Sequence, residues 1–487
     1  MPDRGPVLID NEATPARRIG LWFGPALLAL ALLVPAPAGM PPSAWLCAGL
    51  VGWIATWWVT EAIPLSATAL LPFVVLPLIG VGTAKSVAGA YYSPIVFLIL
   101  GGAMLALAIE RTGMHRRLAL ALVSRGGRSA FSLLLAFMGA TALLSMLISN
   151  TSSALIMLPM ALAVIAAVTG SNDDGDVRDT DGLSGALPMG IAFAATIGGF
   201  GTIVGTPTNA IAVGLLDEML DFKISFALWM AFGIPLVVVA LPLAAWLIAR
   251  VQNLSDQSFD TRAARAALSV DVAWTRPQKR LVPVIALAFV GWLCAPLLKD
   301  RLPDGAIHDG TIAIVAALAL FILPDGTGRP LLRWHEADRA PWGVLLLFGG
   351  GLALAGGMSQ SGLADWLGAQ LLPLSGLPLI VLAMAICAMV IVITEFASNV
   401  ATGSAIIPVI AGLIAALGVD PLLLAVPAAI AASWGYMLPA GTGPNAIAWS
   451  SGRIALPRMI RAGVLLDVVG IVLIPVVVFA MAAIIGG

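Results

Sequence analysis

The sequence predicts an all-α polytopic membrane protein, with eleven transmembrane helices and two re-entrant hairpins arranged as inverted repeats. Three observations carry this: apolar runs along nearly the whole chain, a one-sided distribution of basic residues, and an internal repeat of polar clusters at membrane depth. The 487 residues are 60% hydrophobic and 10% charged, with a mean hydropathy of +1.00. A soluble domain carries roughly 25% charged residues. Lipid cannot satisfy backbone polar groups, so the apolar runs must be helices or a closed barrel. They are continuous rather than alternating, which selects helices.

The first 18 residues are polar and basic and read as a cytoplasmic tail. The first apolar run is long, is soon followed by a second, and has no small-residue cleavage site, so it reads as a retained helix. Crossings are expected at 19–36, 43–60, 63–80, 94–110, 185–215, 225–250, 281–298, 310–324, 342–358, 421–450 and 462–484. The stretches 131–168 and 377–415 are each interrupted midway by a polar cluster and read as paired short half-helices that enter and leave on one side. Two crossings, 185–215 and 421–450, are broken by Gly205-Thr206-Pro207-Thr208-Asn209 and Gly441-Thr442-Gly443-Pro444-Asn445. The 111–130 segment, with five arginines among apolar residues, suits an interfacial helix. Residues 251–280 form a cytoplasmic loop or a second such helix.

Charge tests this topology. With the N-terminus inside and both hairpins returning to their own side, 21 of the 25 Lys and Arg residues lie inside. Only Lys85, Lys223, Lys299 and Arg301 lie outside. That is a strong positive-inside bias. Counting either hairpin as a single crossing inverts everything between them and removes it. The C-terminus is therefore expected outside.

The repeat is written in polar residues. Ser149-Asn150-Thr151 recurs as Ser398-Asn399-Val400, Ser145 as Thr394 and Pro159 as Pro408, all at an offset of 249. Gly205 through Ala212 matches Gly441 through Ala448, and Thr112-Gly113 matches Ser361-Gly362. The first hairpin opens inside and the second outside, so the repeats are inverted, an architecture of secondary transporters. Non-helical backbone at membrane depth is costly unless it lines a cavity or is buried in protein. Four such breaks in two matched pairs point to a site. Half-helix N-termini aim partial positive charge and free N–H groups at an anion. Unwound carbonyls and Ser or Asn oxygens ligate hard cations. The competing reading is that Ser and Asn only cap the half-helices or hold helices together. No Lys or Arg falls within a predicted apolar core, so helix dipoles and bound cations must neutralise an anion. Whether that cation is sodium or a proton stays open at this point.

Other classes find less support. A net charge of −1 suggests no nucleic-acid partner, and Cys47, Cys294 and Cys387 lie in apolar context as buried thiols. His115, His308 and His335 are expected in loops, on interfacial surface, and suggest no metal site. The acidic run Asp173, Asp174, Asp176, Asp179 and Asp181 lacks a calcium-loop register. No nucleophile–base or metal constellation suggests an enzyme. Glu395, beside the second tip, is the deepest acid and is either functional or a hydrogen-bonded structural group; Asp467 reads as structural, over a turn into the last helix.

Trp57-Trp58-Val59-Thr60-Glu61-Ala62-Ile63-Pro64-Leu65, then Thr68-Ala69-Leu70-Leu71-Pro72, resembles the early signature of the divalent-anion:sodium symporters, which carry dicarboxylates, citrate or sulfate. The Ser-Asn-Thr/Val tips and Thr394-Glu395-Phe396-Ala397-Ser398-Asn399 resemble that family's substrate motifs. The likeness runs from about residue 50 to the end. It implies import of C4 dicarboxylates (succinate, malate, fumarate) with sodium, by an elevator mechanism, in a homodimer of the bacterial inner membrane. A scaffold would comprise 19–130 and 281–376, and a moving transport domain 131–250 and 377–487. One sodium site would use Ser145, Asn150 and the carbonyl of Gly205; the other, Thr394, Ala397, Asn399 and the carbonyl of Gly441. Substrate carboxylates would meet Ser149, Asn150, Thr151, Ser398 and Asn399, beside Val400, Thr206, Pro207, Thr442 and Gly443. Two positions depart from the pattern. Val400 lacks the hydroxyl of Thr151, and Gly443 stands where the family has Pro, which bears on cation geometry, substrate size and sodium coupling. Rival readings are a sodium-independent exchanger, a sulfate or citrate carrier and, more distantly, an ion antiporter.

Overall fold

The computed structural model describes residues 15–123, 129–169, 182–254, 273–298, 303, 306–371, 373 and 376–485. Among these no strand occurs beyond one isolated bridge, Pro324 to Pro330. The first part of the chain forms α1 (Pro15–Leu33), α2 (Pro42–Thr60), α3 (Leu65–Thr68), α4 (Leu71–Leu78), α5 (Ala84–Ala90), α6 (Pro94–Thr112) and α7 (Met114–Val123). The first hairpin follows as α8 (Ala130–Ser145) and α9 (Asn150–Thr169), then a broken pair, α10 (Gly182–Gly199) and α11 (Pro207–Leu220), and α12 (Phe226–Val251). Next come α13 (Arg276–Leu298), α14 (Asp309–Ile322), α15 (Trp334–Ala337), α16 (Trp342–Ser361) and α17 (Leu363–Leu371). The second hairpin, α18 (Leu379–Phe396) and α19 (Asn399–Leu417), precedes a second broken pair, α20 (Pro421–Ala431) and α21 (Gly443–Ser450), and the final α22 (Leu456–Ile485).

The repeat in the sequence is a repeat of elements. α6–α7 matches α16–α17, and both first helices end on a left-handed glycine, Gly113 (φ 68°) and Gly362 (φ 78°), again 249 residues apart. A side chain would strain that backbone; glycine does not. α8–α9 matches α18–α19, and the broken pairs match each other. The halves interlock: α9 packs on α21, and α19 on α11. Phe193 meets Tyr436 at 4.9 Å between ring centroids, and Phe200 stacks on Trp434 at 5.5 Å. The largest apolar core joins the hairpins and broken pairs to α6, α12–α14 and α22, while a smaller one joins α2, α4, α16 and α17.

Eleven described helical segments are long and apolar enough to cross a membrane, the number expected, but the members differ. The expected crossing 63–80 is broken. Pro72 has no N–H to offer the Thr68 carbonyl, so α3 stops and α4 restarts. The expected 310–324 is a 14-residue helix, about 21 Å long. In 421–450 the backbone leaves the helix between Ala431 and Gly443. Conversely, the hairpin arms are not short half-helices: α9, α18 and α19 have 20, 18 and 19 residues. The apolar run on each side of the polar tip is long enough to keep winding, and Pro159 and Pro408 are absorbed within it. Of the histidines, His115 departs from the expected interfacial surface, while His308 lies just outside its helix and His335 is exposed. His115 is on α7 and buried, with Nδ1 3.2 Å from the Ile109 carbonyl; His335 is on α15, and His308 caps α14 through Gly310 N–H at 3.2 Å. Burial is the main cause that lowers the His115 pKa. The acidic run 173–181 and most of the 251–280 loop lie outside the described residues.

At the end of α6, Arg111 grips Asp325 at 2.9 Å. Burial would push that carboxyl up, but hydrogen bonds from Thr327 and Arg111 outweigh it and bring the pKa down to about 2. Arg329 pairs with Glu336 at 2.5 Å, and Arg339 loosely with Glu110 at 3.8 Å.

Candidate functional site

The four backbone breaks converge. Ser149-Asn150-Thr151, Gly205-Thr206-Pro207, Ala397-Ser398-Asn399-Val400 and Gly441-Thr442-Gly443 line one cavity of about 860 Å³. The N-termini of α9, α11, α19 and α21 therefore face a common space. The first four N–H groups of a helix have no partner within it, so the cavity wall is rich in donors. Among the described residues no Lys or Arg lines it, and its charged residues are Glu61 and Glu395. Each dipole end is worth roughly 0.3–1 kcal/mol to an anion. Four supply about 1–4 kcal/mol, whereas desolvating an ion costs several kcal/mol. Dipoles alone do not balance a dianion, so cations must contribute.

Behind each tip is a cage of oxygens. Ser145 Oγ is 2.6 Å from Asn150 Oδ1 and 2.5 Å from the Ala195 carbonyl. Its repeat mate Thr394 Oγ1 is 2.9 Å from Asn399 Oδ1 and 2.6 Å from the Ala432 carbonyl. The Thr394 hydroxyl has one proton and two acceptors, so the second cage has an oxygen in excess; the first has one only while the Asn150 amide keeps its oxygen turned inward. A hard monovalent cation answers that excess. In the first cage the Asn150 amide has a second answer. Turned over, its nitrogen reaches Ala195 O at 3.2 Å, Ser145 Oγ at 2.6 Å and Gly205 O at 3.1 Å. A cation and an amide N–H thus compete for the same three oxygens. Gly199 leaves room for this: a Cβ there would sit 2.7 Å from Asn150 Oδ1.

The loops are held by matched asparagines. Asn209 donates to the Gly199 and Thr202 carbonyls, both at 2.8 Å, and Asn445 to the Leu438 carbonyl at 3.1 Å. Glu395 accepts from the backbone N–H of Tyr436 at 2.5 Å, Met437 at 2.9 Å and Leu438 at 3.3 Å. It therefore pins the unwound segment after α20, the structural of its two readings. Asp467 lies within α22, 5% exposed.

Capping is part of the picture at one tip only. Ser152 N–H donates to Ser149 Oγ at 3.1 Å, whereas Ser398 makes no side-chain cap. Both asparagines point back into the cages. Ser145 and Thr394, fully buried, stand behind the cavity wall rather than in it. The sequence reading missed the Ala195 and Ala432 carbonyls, since alanine carries no side-chain signal of ligation. It also missed that Val59-Thr60-Glu61, at the end of α2, closes one side of the cavity. Glu61 has a left-handed backbone (φ 48°) as the C-cap.

Comparison with known proteins identifies the family. The family described as the sodium:sulfate symporter transmembrane region matches residues 18–486. The chain is 40% identical over 488 residues to a sodium-dependent dicarboxylate transporter, SdcS, of Staphylococcus aureus, covering 96% of this chain and 92% of that protein. It is also 40% identical over 470 residues to SdcS of Staphylococcus saprophyticus, covering 95% and 90%. At the level of fold it resembles the Alcanivorax borkumensis YdaH transporter (TM-score 0.57, 15% identity, 97% and 98% covered). Neisseria gonorrhoeae MtrF is similar too (TM-score 0.58, 14% identity, 96% and 95% covered). The family match spans nearly the whole chain, and the chain belongs to the sodium:sulfate symporter family.

Proposed function

We propose that the protein imports C4 dicarboxylates such as succinate, malate and fumarate across the bacterial inner membrane, coupled to sodium. The observation that carries this is the pairing of a donor-lined cavity, free of basic side chains, with two repeat-related oxygen cages. The substrate carboxylates are bound by Ser149, Asn150, Thr151, Ser398 and Asn399, beside Thr206, Pro207, Val400, Thr442 and Gly443. One sodium is held by Ser145, Asn150 and the Gly205 and Ala195 carbonyls. The other is held by Thr394, Asn399 and the Ala397, Gly441 and Ala432 carbonyls. Each Asn thus belongs to a cation cage while its helix N-terminus faces the anion. Filling the cages supplies the positive charge that four dipoles lack, and this couples the two cargoes.

The positive-inside orientation puts the C-terminus outside and the end of α2 inside. Because Thr60 and Glu61 line the cavity, this reading makes it inward-facing. In this reading the hairpins are re-entrant and move with α10–α12 and α20–α22 as an elevator against the scaffold, within a lipid-embedded homodimer. Radiolabelled succinate uptake into proteoliposomes tests the proposal. Accumulation should require an inward sodium gradient. Uptake driven only by internal succinate would replace symport with exchange, and no flux would withdraw the substrate.

A further inference from the structure

The two ends of the site are not chemically equivalent, although the repeat would make them so. Position 151 matches 400, and 207 matches 443. One repeat-related pair is therefore Thr151 with Gly443, and the other Val400 with Pro207. The first pair is in contact. A Cβ on residue 443 would lie 2.6 Å from Thr151 Oγ1 but 3.6 Å from Thr151 Cβ and Cγ2, so it is the hydroxyl that occupies the notch left by glycine. Both residues are exposed to the cavity. Backbone donors do not distinguish the two ends: Gly443 keeps the N–H that Pro207 lacks, and Pro444 lacks the one that Thr208 keeps. One end thus offers a hydroxyl seated in a glycine notch where the other presents a methyl group and a ring.

We propose that Thr151 and Gly443 form a coupled specificity element that selects C4 dicarboxylates carrying a hydroxyl beside one carboxylate, and so orients the substrate in the cavity. The inference rests on the dicarboxylate reading of this site. A symmetric dianion such as succinate uses the donors common to both ends. Malate has a third polar group, and the Thr151 hydroxyl is a side-chain donor that Val400 cannot match. The coupling is steric. The backbone of Gly443 is helical, not left-handed, so alanine fits there, and its methyl group acts by turning the Thr151 hydroxyl away.

The test is competitive uptake of malate and succinate into proteoliposomes by wild type, Thr151→Val, Gly443→Ala, Gly443→Pro and the double variant Thr151→Val/Gly443→Ala. Wild type should favour malate. Each single variant should lower that preference roughly three- to tenfold, the value of one hydrogen bond. The double variant should match Thr151→Val alone, because the alanine has no hydroxyl left to displace. Intact uptake of both substrates at an unchanged ratio would overturn the inference while leaving the dicarboxylate reading in place. Absence of both fluxes in wild type would remove that reading and the inference with it. Thermal stabilisation of the wild-type protein, in sodium, should be larger with malate than with succinate; equal shifts would also overturn the inference.

Discussion

Truncating Asn399 to alanine removes an oxygen that the proposed mechanism assigns to a sodium ion. Asn399 Oδ1 faces Thr394 Oγ1 at 2.9 Å, in a cage whose other near wall is the Ala432 carbonyl, 2.6 Å from the same hydroxyl. Were this an ordinary neutral contact, its loss would cost roughly 0.5–1.5 kcal/mol. As a ligand of sodium it is a charge-assisted interaction, worth roughly 1.5–3 kcal/mol. The anion then loses a neighbouring positive charge as well, an effect of similar size. The two together come to about 3–6 kcal/mol, a loss of roughly 10²–10⁴ in uptake at fixed sodium. The fold loses only the smaller figure, because Asn399 is half-buried at a cavity wall. The assay is initial-rate succinate uptake across a sodium titration, with expression and unfolding temperature measured in parallel. Asn150→Ala should behave alike. Near-normal uptake in both variants would refute the cages as cation sites.

Other outcomes follow from the same geometry. Gly199→Ala places a methyl group 2.7 Å from Asn150 Oδ1; it should raise the sodium concentration needed for half-maximal uptake by about tenfold, in the range of a lost charge-assisted bond. Glu395→Gln should lower the unfolding temperature, since a single carboxamide oxygen must replace a carboxylate that holds three N–H groups. Sodium-dependent uptake should persist, whereas an antiporter dependent on that acid would be inactive. Asp325→Asn should weaken the Arg111 clasp and destabilise by about 1–3 kcal/mol, less than a fully buried pair because Arg111 is partly hydrated. The Asp325 carboxyl is held below its ordinary value, so its contribution is complete above about pH 4 and is lost as pH falls towards about 2. The gap in unfolding temperature between wild type and Asp325→Asn should therefore close over that range.

The repeat was legible because its markers are polar residues that an apolar context makes conspicuous. Ser149-Asn150 and Ser398-Asn399 stand out for that reason, and the structure brings them to one cavity. Thr112-Gly113 and Ser361-Gly362 were legible as repeat markers, and the structure makes both glycines left-handed caps of helices that end two to three residues beyond the expected crossings. Lengths were not. Hydropathy treats 63–80 as one run, but Pro72 removes the N–H that would carry the helix across it. A polar tip likewise says where an arm begins and not how far it winds, hence the long α9, α18 and α19. Cage carbonyls such as those of Ala195 and Ala432 leave no mark in side-chain chemistry, and the contact between Thr151 and Gly443 joins residues almost 300 positions apart. His115 looked superficial because it sits among arginines, yet α7 turns it inward.

In the proposed mechanism two repeat-related cages each load a sodium ion to carry one dianion. Simultaneous counting of radiolabelled sodium and succinate entering the same proteoliposomes tests it most directly. Sodium should enter with succinate at no fewer than two ions per dianion, and Asn150→Ala and Asn399→Ala should each abolish the paired flux. Succinate entry with no accompanying sodium would contradict it.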